Sequence, residues 1–153
     1  MTVTVHYLED LTPGQRYGTA SATVDLAQIQ AFAAQFDPQP FHLDPEAAKR
    51  TLFGELVASG WHTMGITMRL IVGSDVQLGW GFLGAGVENM DWPNPVRPGD
   101  TLRAENEVLD IKPSRSKPDR GVVRIRTTTY NQRDEPVLIV TAKVIVPKRN
   151  PGA

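Results

Sequence analysis

The sequence contains no cysteine among its 153 residues, so disulfide bonds, thiolate nucleophiles and cysteine-bound zinc are excluded. It has almost no net charge, because 16 basic side chains stand against 17 acidic ones, and nothing in this balance favours nucleic-acid binding. Apolar runs long enough for a bilayer are missing, as is a basic stretch followed by an apolar one near residue 1. We therefore expect no membrane span, no signal peptide and a reducing cytoplasm as the location.

Linkers and internal repeats are also missing, which favours one domain over residues 1–153. A stretch with the composition of a flexible tail covers residues 147–153. The chain is relatively rich in turn formers, with 13 glycines and 12 prolines. These residues predict many short elements joined by sharp turns.

The first half of the chain has helical patterns after one strand-like stretch at residues 16–24. Asp25 and Gln28 have the spacing of a capping box, which predicts a helix that ends at Phe36, before Asp37 and Pro38. Residues 45–50 predict a short helix with a proline in its first turn. A longer helix is predicted over residues 60–72, and because it is apolar nearly all round, we expect it in the middle of the fold.

The second half changes to the two-residue period of strands. Four strands are predicted, over residues 82–92, 101–111, 121–130 and 137–146. Their short connections favour an antiparallel sheet, and the stretch at residues 16–24 makes about five strands. We therefore expect an α+β fold in which this sheet packs around the central helix. Its exposed edge strands favour a homodimer.

Chemistry is concentrated in the segment between the first two predicted helices, where Asp37 and His42 flank Pro38 and Pro40. Fully extended, the five steps between Asp37 and His42 span roughly 17 Å, so the two side chains meet only if the loop curls. The prolines stiffen such a loop. A carboxylate beside an imidazole can hold a water molecule and exchange protons with it, which points to addition or removal of water. The alternative is a solvated turn in which Asp37 caps and His42 packs.

The same segment resembles the signature of the MaoC-like dehydratases, also called (R)-specific enoyl-CoA hydratases, of the hot-dog fold. The matching positions are Asp37, Pro38, Gln39, Pro40, Phe41, His42, Leu43, Asp44, Pro45, Ala47 and Ala48. Two further stretches, at residues 53–60 and 92–102, are similar to the family's sequence before its central helix and between two of its strands. The resemblance covers about residues 11–146.

This resemblance implies a hot-dog fold, a dimer, and a role for each matching residue. Asp37 and His42 would hold and activate water, and the backbone N–H of Gly60 would meet the thioester oxygen. The Gly60 role agrees with its position at a helix start, where N–H groups are free and negative charge is favoured. Gln39, Ser59 and Trp61 would contact the substrate.

Four residues depart from the family pattern. Gln39 replaces an asparagine, Phe36 a small residue, Ser59 a histidine and Met68 a polar residue on the substrate side of the central helix. These changes keep the Asp37 and His42 pair and leave the identity of the substrate open.

Other candidate residues have two interpretations each. His62, seven residues before Arg69 on a similar helix face, can line a pocket or pack as a core or interface histidine. Residues 112–120 carry four basic side chains, which can hold the phosphates of CoA or simply face solvent. No phosphate loop or metal-binding motif is present, so we expect neither a metal nor a cofactor.

The sequence therefore predicts a hydratase or dehydratase acting on an acyl thioester, with enoyl-CoA or 3-hydroxyacyl-CoA as the expected substrate. Two alternatives remain at this stage: a hot-dog protein that binds acyl-CoA without catalysis, and a hot-dog thioesterase with Asp37 as its base.

Overall fold

A computed structural model describes residues 2–150 and contains one large antiparallel sheet. The strands of the described residues are β1 (Thr4–His6), β2 (Arg16–Thr23), β3 (Val76–Leu78), β4 (Leu83–Asp91), β5 (Thr101–Pro113), β6 (Arg120–Tyr130) and β7 (Pro136–Pro147). Five of them form the large sheet in the order β2-β5-β6-β7-β4, and β1 pairs with β3 in a small parallel sheet. The α+β class and the five-stranded sheet are confirmed.

Four α-helices accompany the sheet within residues 2–150: α1 (Leu26–Phe36), α2 (Pro40–Leu43), α3 (Pro45–Ala48) and α4 (Gly60–Val72). The capping box of α1 forms as expected, because Asp25 accepts from the Gln28 N–H and the Gln28 side chain accepts from the Asp25 N–H. A short 3₁₀-helix, Leu8–Asp10, precedes β2. None of these helices is both long and apolar enough to cross a membrane.

Helix α4 packs on the sheet through β2, β5 and β7, but it is buried on one face only, whereas its sequence predicts a helix in the middle of the fold. Thr63, Thr67 and Ile71 are buried, whereas Trp61 and Val72 are more than half exposed. Threonine can face the core here because its hydroxyl finds partners: the Thr67 and Thr129 hydroxyl oxygens lie 2.6 Å apart. The helix is therefore central to the sheet without being enclosed on every side.

Buried side chains form two clusters at opposite ends of the sheet. One lies beneath α1, α2 and α3 and contains Val24, Ile29, Ala48, Leu56, Ala58, Val96, Leu102 and Val137. The other lies near the 3₁₀-helix and contains Leu8, Leu11, Val108, Val123, Ile125, Val144 and Val146. The first cluster is next to the segment that carries Asp37 and His42, because Phe41 packs against it.

Three features of the fold differ from the sequence predictions. Strands β1 and β3 were not predicted, because three residues are too few to show a period. The segment after Pro38, for which the sequence predicts a loop, contains the single turn of α2. Part of the predicted flexible tail is also ordered: Pro147 ends β7, and the Lys148 N–H donates to the Asp119 carbonyl. The rest of that prediction, residues 151–153, lies outside the described residues.

Candidate active site

Asp37 and His42 meet because the chain between them curls into one helical turn. Asp37 ends α1, and Pro40 opens α2 with its φ already fixed for a helix. This turn places the Asp37 Oδ2 atom 3.2 Å from the His42 Nε2 atom. The side chain of His42 is 6% exposed and that of Asp37 17%, so the contact lies at the edge of the interior. The loop therefore curls, as a contact between these two residues requires.

The other ring nitrogen of His42 fixes the tautomer of the imidazole. Nδ1 lies 2.7 Å from the Val57 carbonyl oxygen, and because a carbonyl only accepts hydrogen bonds, Nδ1 carries a proton. The Val57 N–H in turn donates to the Phe41 carbonyl, which ties this segment to α2. When His42 is neutral, Nε2 is therefore an acceptor directed at the carboxylate. Val57 was not identified from the sequence, because a backbone acceptor leaves no side-chain signal.

Asp37 is held as a carboxylate. Burial alone would raise its pKa, but hydrogen bonds from Gln39 and Ser59 and the neighbouring His42 outweigh burial and hold the pKa of Asp37 below its ordinary value. The Gln39 Nε2 atom donates to Asp37 Oδ1 over 2.5 Å, which leaves Oδ2 for His42. Gln39 therefore orients the carboxylate.

Gly60 opens α4 beside this pair. The N-cap residue Ser59 is fully buried and accepts from the Trp61 N–H over 3.3 Å. Among residues 2–150, no acceptor is found for the Gly60 N–H, so it is one of the free donors that a helix start provides. The arrangement can bind an oxygen that gains negative charge, because the helix dipole adds to the hydrogen bond.

Two tryptophans flank Gly60. The rings of Trp61 and Trp92 meet edge to face with 5.3 Å between their centroids, and Trp61 is more exposed than Trp92. The Trp92 Nε1–H donates to the Gly60 carbonyl over 3.0 Å. This hydrogen bond is not evident from the sequence, because the two residues are far apart in the chain.

An apolar cavity of about 430 Å³ lies along α4. Met64, Met68 and Ile71 of the helix form one side, and β4 forms another with the small residues Gly84, Ala85 and Gly86. Met68, which replaces a polar residue of the family pattern, thus lines the cavity. A cavity with so few polar atoms suits a hydrocarbon chain.

His62 and Arg69 line a different cavity, of about 490 Å³, between α4 and β2. The His62 ring stacks on Phe32 at 4.8 Å, and burial lowers the pKa of His62, which favours its neutral form. The sequence prediction that His62 and Arg69 share a face is confirmed, although that face is not the one that lines the apolar cavity.

The basic stretch of residues 112–120 runs from the far end of β5 to the first residue of β6, near the second core cluster. Its Arg120 pairs with Asp119. Within one chain, this loop lies at the other end of the sheet from Asp37 and His42. Among residues 2–150, no three histidine or carboxylate side chains converge as a metal site would require.

Comparison with known proteins gives the same family as the loop motif. The model of the MaoC like domain family matches residues 9–131. In structure, the chain is similar to a MaoC-like dehydratase from Rhodospirillum rubrum, with a TM-score of 0.91 and 54% identity over 95% of this chain and 99% of that one. The hot-dog fold is therefore confirmed.

Curated relatives cover the chain almost completely. The uncharacterized protein YdeM of Bacillus subtilis is 33% identical over 91% of this chain and 97% of its own length. The 3-hydroxybutyryl-CoA dehydratase of Methylorubrum extorquens is 30% identical over 95% of this chain and 87% of its own. One relative that is similar over nearly the whole chain is thus named as a dehydratase of a CoA thioester.

Proposed function

This chain belongs to the MaoC-like domain family, and we propose that it adds water to, or removes water from, the α,β carbon pair of an acyl thioester, with CoA as the thiol. The observation that carries the proposal is the contact between Asp37 Oδ2 and His42 Nε2 at 3.2 Å. With Nδ1 protonated against Val57, both of these atoms are acceptors when His42 is neutral. A water molecule placed against them donates one O–H to each.

In the hydration direction, the oxygen of this water bonds to the β-carbon while one of its protons passes to the Asp37 and His42 pair. The π electrons of the double bond move onto the thioester, which becomes an enolate. The same pair then returns one proton to the α-carbon, so its protonation is unchanged at the end of the cycle. Because the two groups touch, they act on the proton as a unit.

Gly60 stabilises the enolate in this proposal. Its free N–H at the start of α4 donates to the thioester oxygen, where negative charge develops. Ser59 supports both halves of the site, because its hydroxyl contacts Asp37 and also accepts from the helix at Trp61. Gln39 orients the carboxylate, and the exposed indole of Trp61 offers a flat surface to the thioester beside Gly60.

The acyl chain is proposed to enter the apolar cavity along α4. At 1.5 Å per residue, Met64 lies about 6 Å and Met68 about 12 Å along the helix from Gly60. A chain whose thioester is held at Gly60 therefore reaches both methionines. Methionine at position 68 makes this path apolar, which favours an unsubstituted hydrocarbon chain over a polar one.

The proposed enzyme needs no cofactor, is located in the cytoplasm and assembles as a homodimer. The dimer is supported by strand β4, whose outer edge is unpaired within residues 2–150 and whose Leu83 and Val87 are exposed. Strand β2, at the opposite edge, is more polar, which favours β4 as the contact between two copies.

The test is to incubate the protein with crotonyl-CoA and with longer straight and branched enoyl-CoA substrates. Both the absorbance of the enoyl thioester and the free thiol are followed. Loss of absorbance without thiol release is expected for hydration. Release of thiol would indicate a thioesterase, and thermal stabilisation with no reaction would indicate a protein that only binds the thioester.

On the substrate that reacts, Asp37→Asn and His42→Ala are each expected to lower kcat at least about 100-fold, because general acid–base catalysis contributes that much or more. His6→Ala and Asp119→Asn make similar changes at the other end of the sheet and serve as controls. Circular dichroism establishes that each variant folds. Near-normal turnover by either site variant would contradict the proposed function.

A further inference from the structure

The first turn of α4 is fixed from outside the helix by Trp92, which follows β4 directly. Its Nε1–H donates to the Gly60 carbonyl over 3.0 Å. The N–H of the same peptide unit, which belongs to Trp61, donates to the Ser59 hydroxyl. Both ends of the Gly60–Trp61 peptide therefore have partners outside the regular hydrogen bonds of the helix.

The indole also covers the Gly60 α-carbon. A β-carbon built on Gly60 would lie 2.5 Å from the Trp92 Cε2 atom and 2.6 Å from Nε1, well inside a normal contact. Any other residue at position 60 would displace the ring or the helix start. Glycine is therefore required at this position by the tryptophan, in addition to any requirement of a ligand.

The segment that carries Trp92 is itself attached to the residues before α4. The Ala58 N–H donates to the Val96 carbonyl over 2.8 Å, and the Asn94 side chain donates to the Pro136 carbonyl. Two prolines, Pro93 and Pro95, stiffen the segment. Trp92 is thus a rigid support rather than a free surface side chain.

We propose that Trp92 is a positioning residue that holds Gly60 through its carbonyl and α-carbon, and so keeps the Gly60 N–H where it stabilises the enolate. The proposal rests on the proposed function of Gly60. A donor that is correctly directed before the substrate arrives needs no reorganisation when charge develops. Loss of the Trp92 hydrogen bond releases the Gly60 carbonyl, so Gly60 shifts at the start of α4 and moves its N–H, which belongs to the preceding peptide unit. This shift weakens the contact to the enolate more than the contact to the uncharged substrate.

Trp92→Phe tests this, because phenylalanine retains an aromatic ring and removes the donor. We expect kcat to fall about three- to tenfold, the effect of losing one neutral hydrogen bond, with an unchanged KM and an unchanged pH profile. Trp80→Phe is the matched control, since Trp80 lies against Arg120 at the other end of the sheet. An unchanged kcat in Trp92→Phe, or a change in KM alone, would overturn the proposal.

Two further variants keep the test decisive. Benzothienylalanine at position 92 preserves the shape of the indole without its N–H, and it must lower kcat in the same way even if Trp92→Phe folds poorly.

Gly60→Ala is expected to lower the melting temperature, and Trp92→Ala in the same chain is expected to restore part of it, because the clash is removed. If the two substitutions change the melting temperature additively, Gly60 and Trp92 are not in contact. This measurement needs no substrate, so it stays informative even if the wild-type protein hydrates no thioester.

Discussion

Asp37 and His42 illustrate how neighbouring groups set the chemistry of a single residue. The Val57 carbonyl fixes the proton on His42 Nδ1, and the Gln39 amide occupies one oxygen of Asp37. Each side chain is thus left with one atom directed at the other, Oδ2 of Asp37 and Nε2 of His42. Hydrogen bonds to Asp37 also overcome the effect of burial and lower its pKa. The carboxylate therefore remains ionised well into the acidic range.

Gln39→Ala is expected to raise the pKa of Asp37, because the hydrogen bond to the ionised form is lost while burial remains. The lowered pKa in the wild-type protein stabilises the fold above the ordinary pKa of aspartate, and this contribution disappears as the pH falls through the lowered value. The variant should therefore lose at most about 1 kcal/mol near neutral pH, and the difference should shrink in acid.

Carboxyl carbon NMR titration measures the pKa, and denaturant unfolding near neutral pH and in acid measures the stability. Gln35→Ala, an exposed change four residues earlier with no side-chain hydrogen bond within residues 2–150, is the control. A pKa of Asp37 that stays the same in Gln39→Ala would refute the assigned role of Gln39.

At the scale of elements, α4 shows that the apolar residues of a helix do not always lie on its buried face. Its apolar stripe, with Met64 and Met68, faces a cavity rather than the sheet. The face on the sheet uses Thr63 and Thr67, and each threonine forms a hydrogen bond through its hydroxyl. The methionines beside the cavity fit the acyl-chain path proposed along this helix.

Thr67→Val is expected to lower the free energy of unfolding by about 1–3 kcal/mol, because the Thr129 hydroxyl keeps its buried position and loses its partner. Thr67→Val combined with Thr129→Val removes both hydroxyls and should cost less than the sum of the two single changes. Denaturant unfolding of the three variants measures this coupling. Strict additivity would mean that the two hydroxyls do not interact.

At the scale of the molecule, part of the exposed apolar surface lies on α4 and on the edge strand β4. Trp61, Val72, Leu83 and Val87 are all exposed and belong to α4 or to the edge strand β4. A free strand edge next to exposed apolar residues favours pairing with another chain. The proposed dimer would cover this surface and would bring a second copy close to the apolar cavity along α4.

Gly84→Lys on β4 is expected to convert the proposed dimer into a monomer, because lysine places a charge on the pairing edge. Gly18→Lys on β2 is the matched control, since a β-carbon meets no atom within 4 Å at either glycine, and neither substitution therefore creates a steric clash at its β-carbon. Light scattering at micromolar concentration measures the mass. A monomeric wild-type protein would contradict the dimer, and dissociation by Gly18→Lys alone would assign the contact to β2.

The amino-acid sequence by itself determined the elements whose signals are local. The structure contains the cap at Asp25, a glycine at each end of α4 and the long strands with their two-residue period. Each of these signals acts between residues that are near one another in the chain. The loop of Asp37 and His42 was also recognisable, because its prolines and charged residues lie within six positions of one another.

Contacts between distant residues were decided only by the tertiary structure. The order of the sheet puts β4 beside β7 instead of β5, because the apolar faces of the whole sheet must be covered together. The tautomer of His42 depends on the carbonyl of Val57, and the helix start at Gly60 depends on Trp92, 32 residues later. Hydrogen bonds to backbone atoms carry no side-chain pattern, so only the folded chain reveals which groups they join.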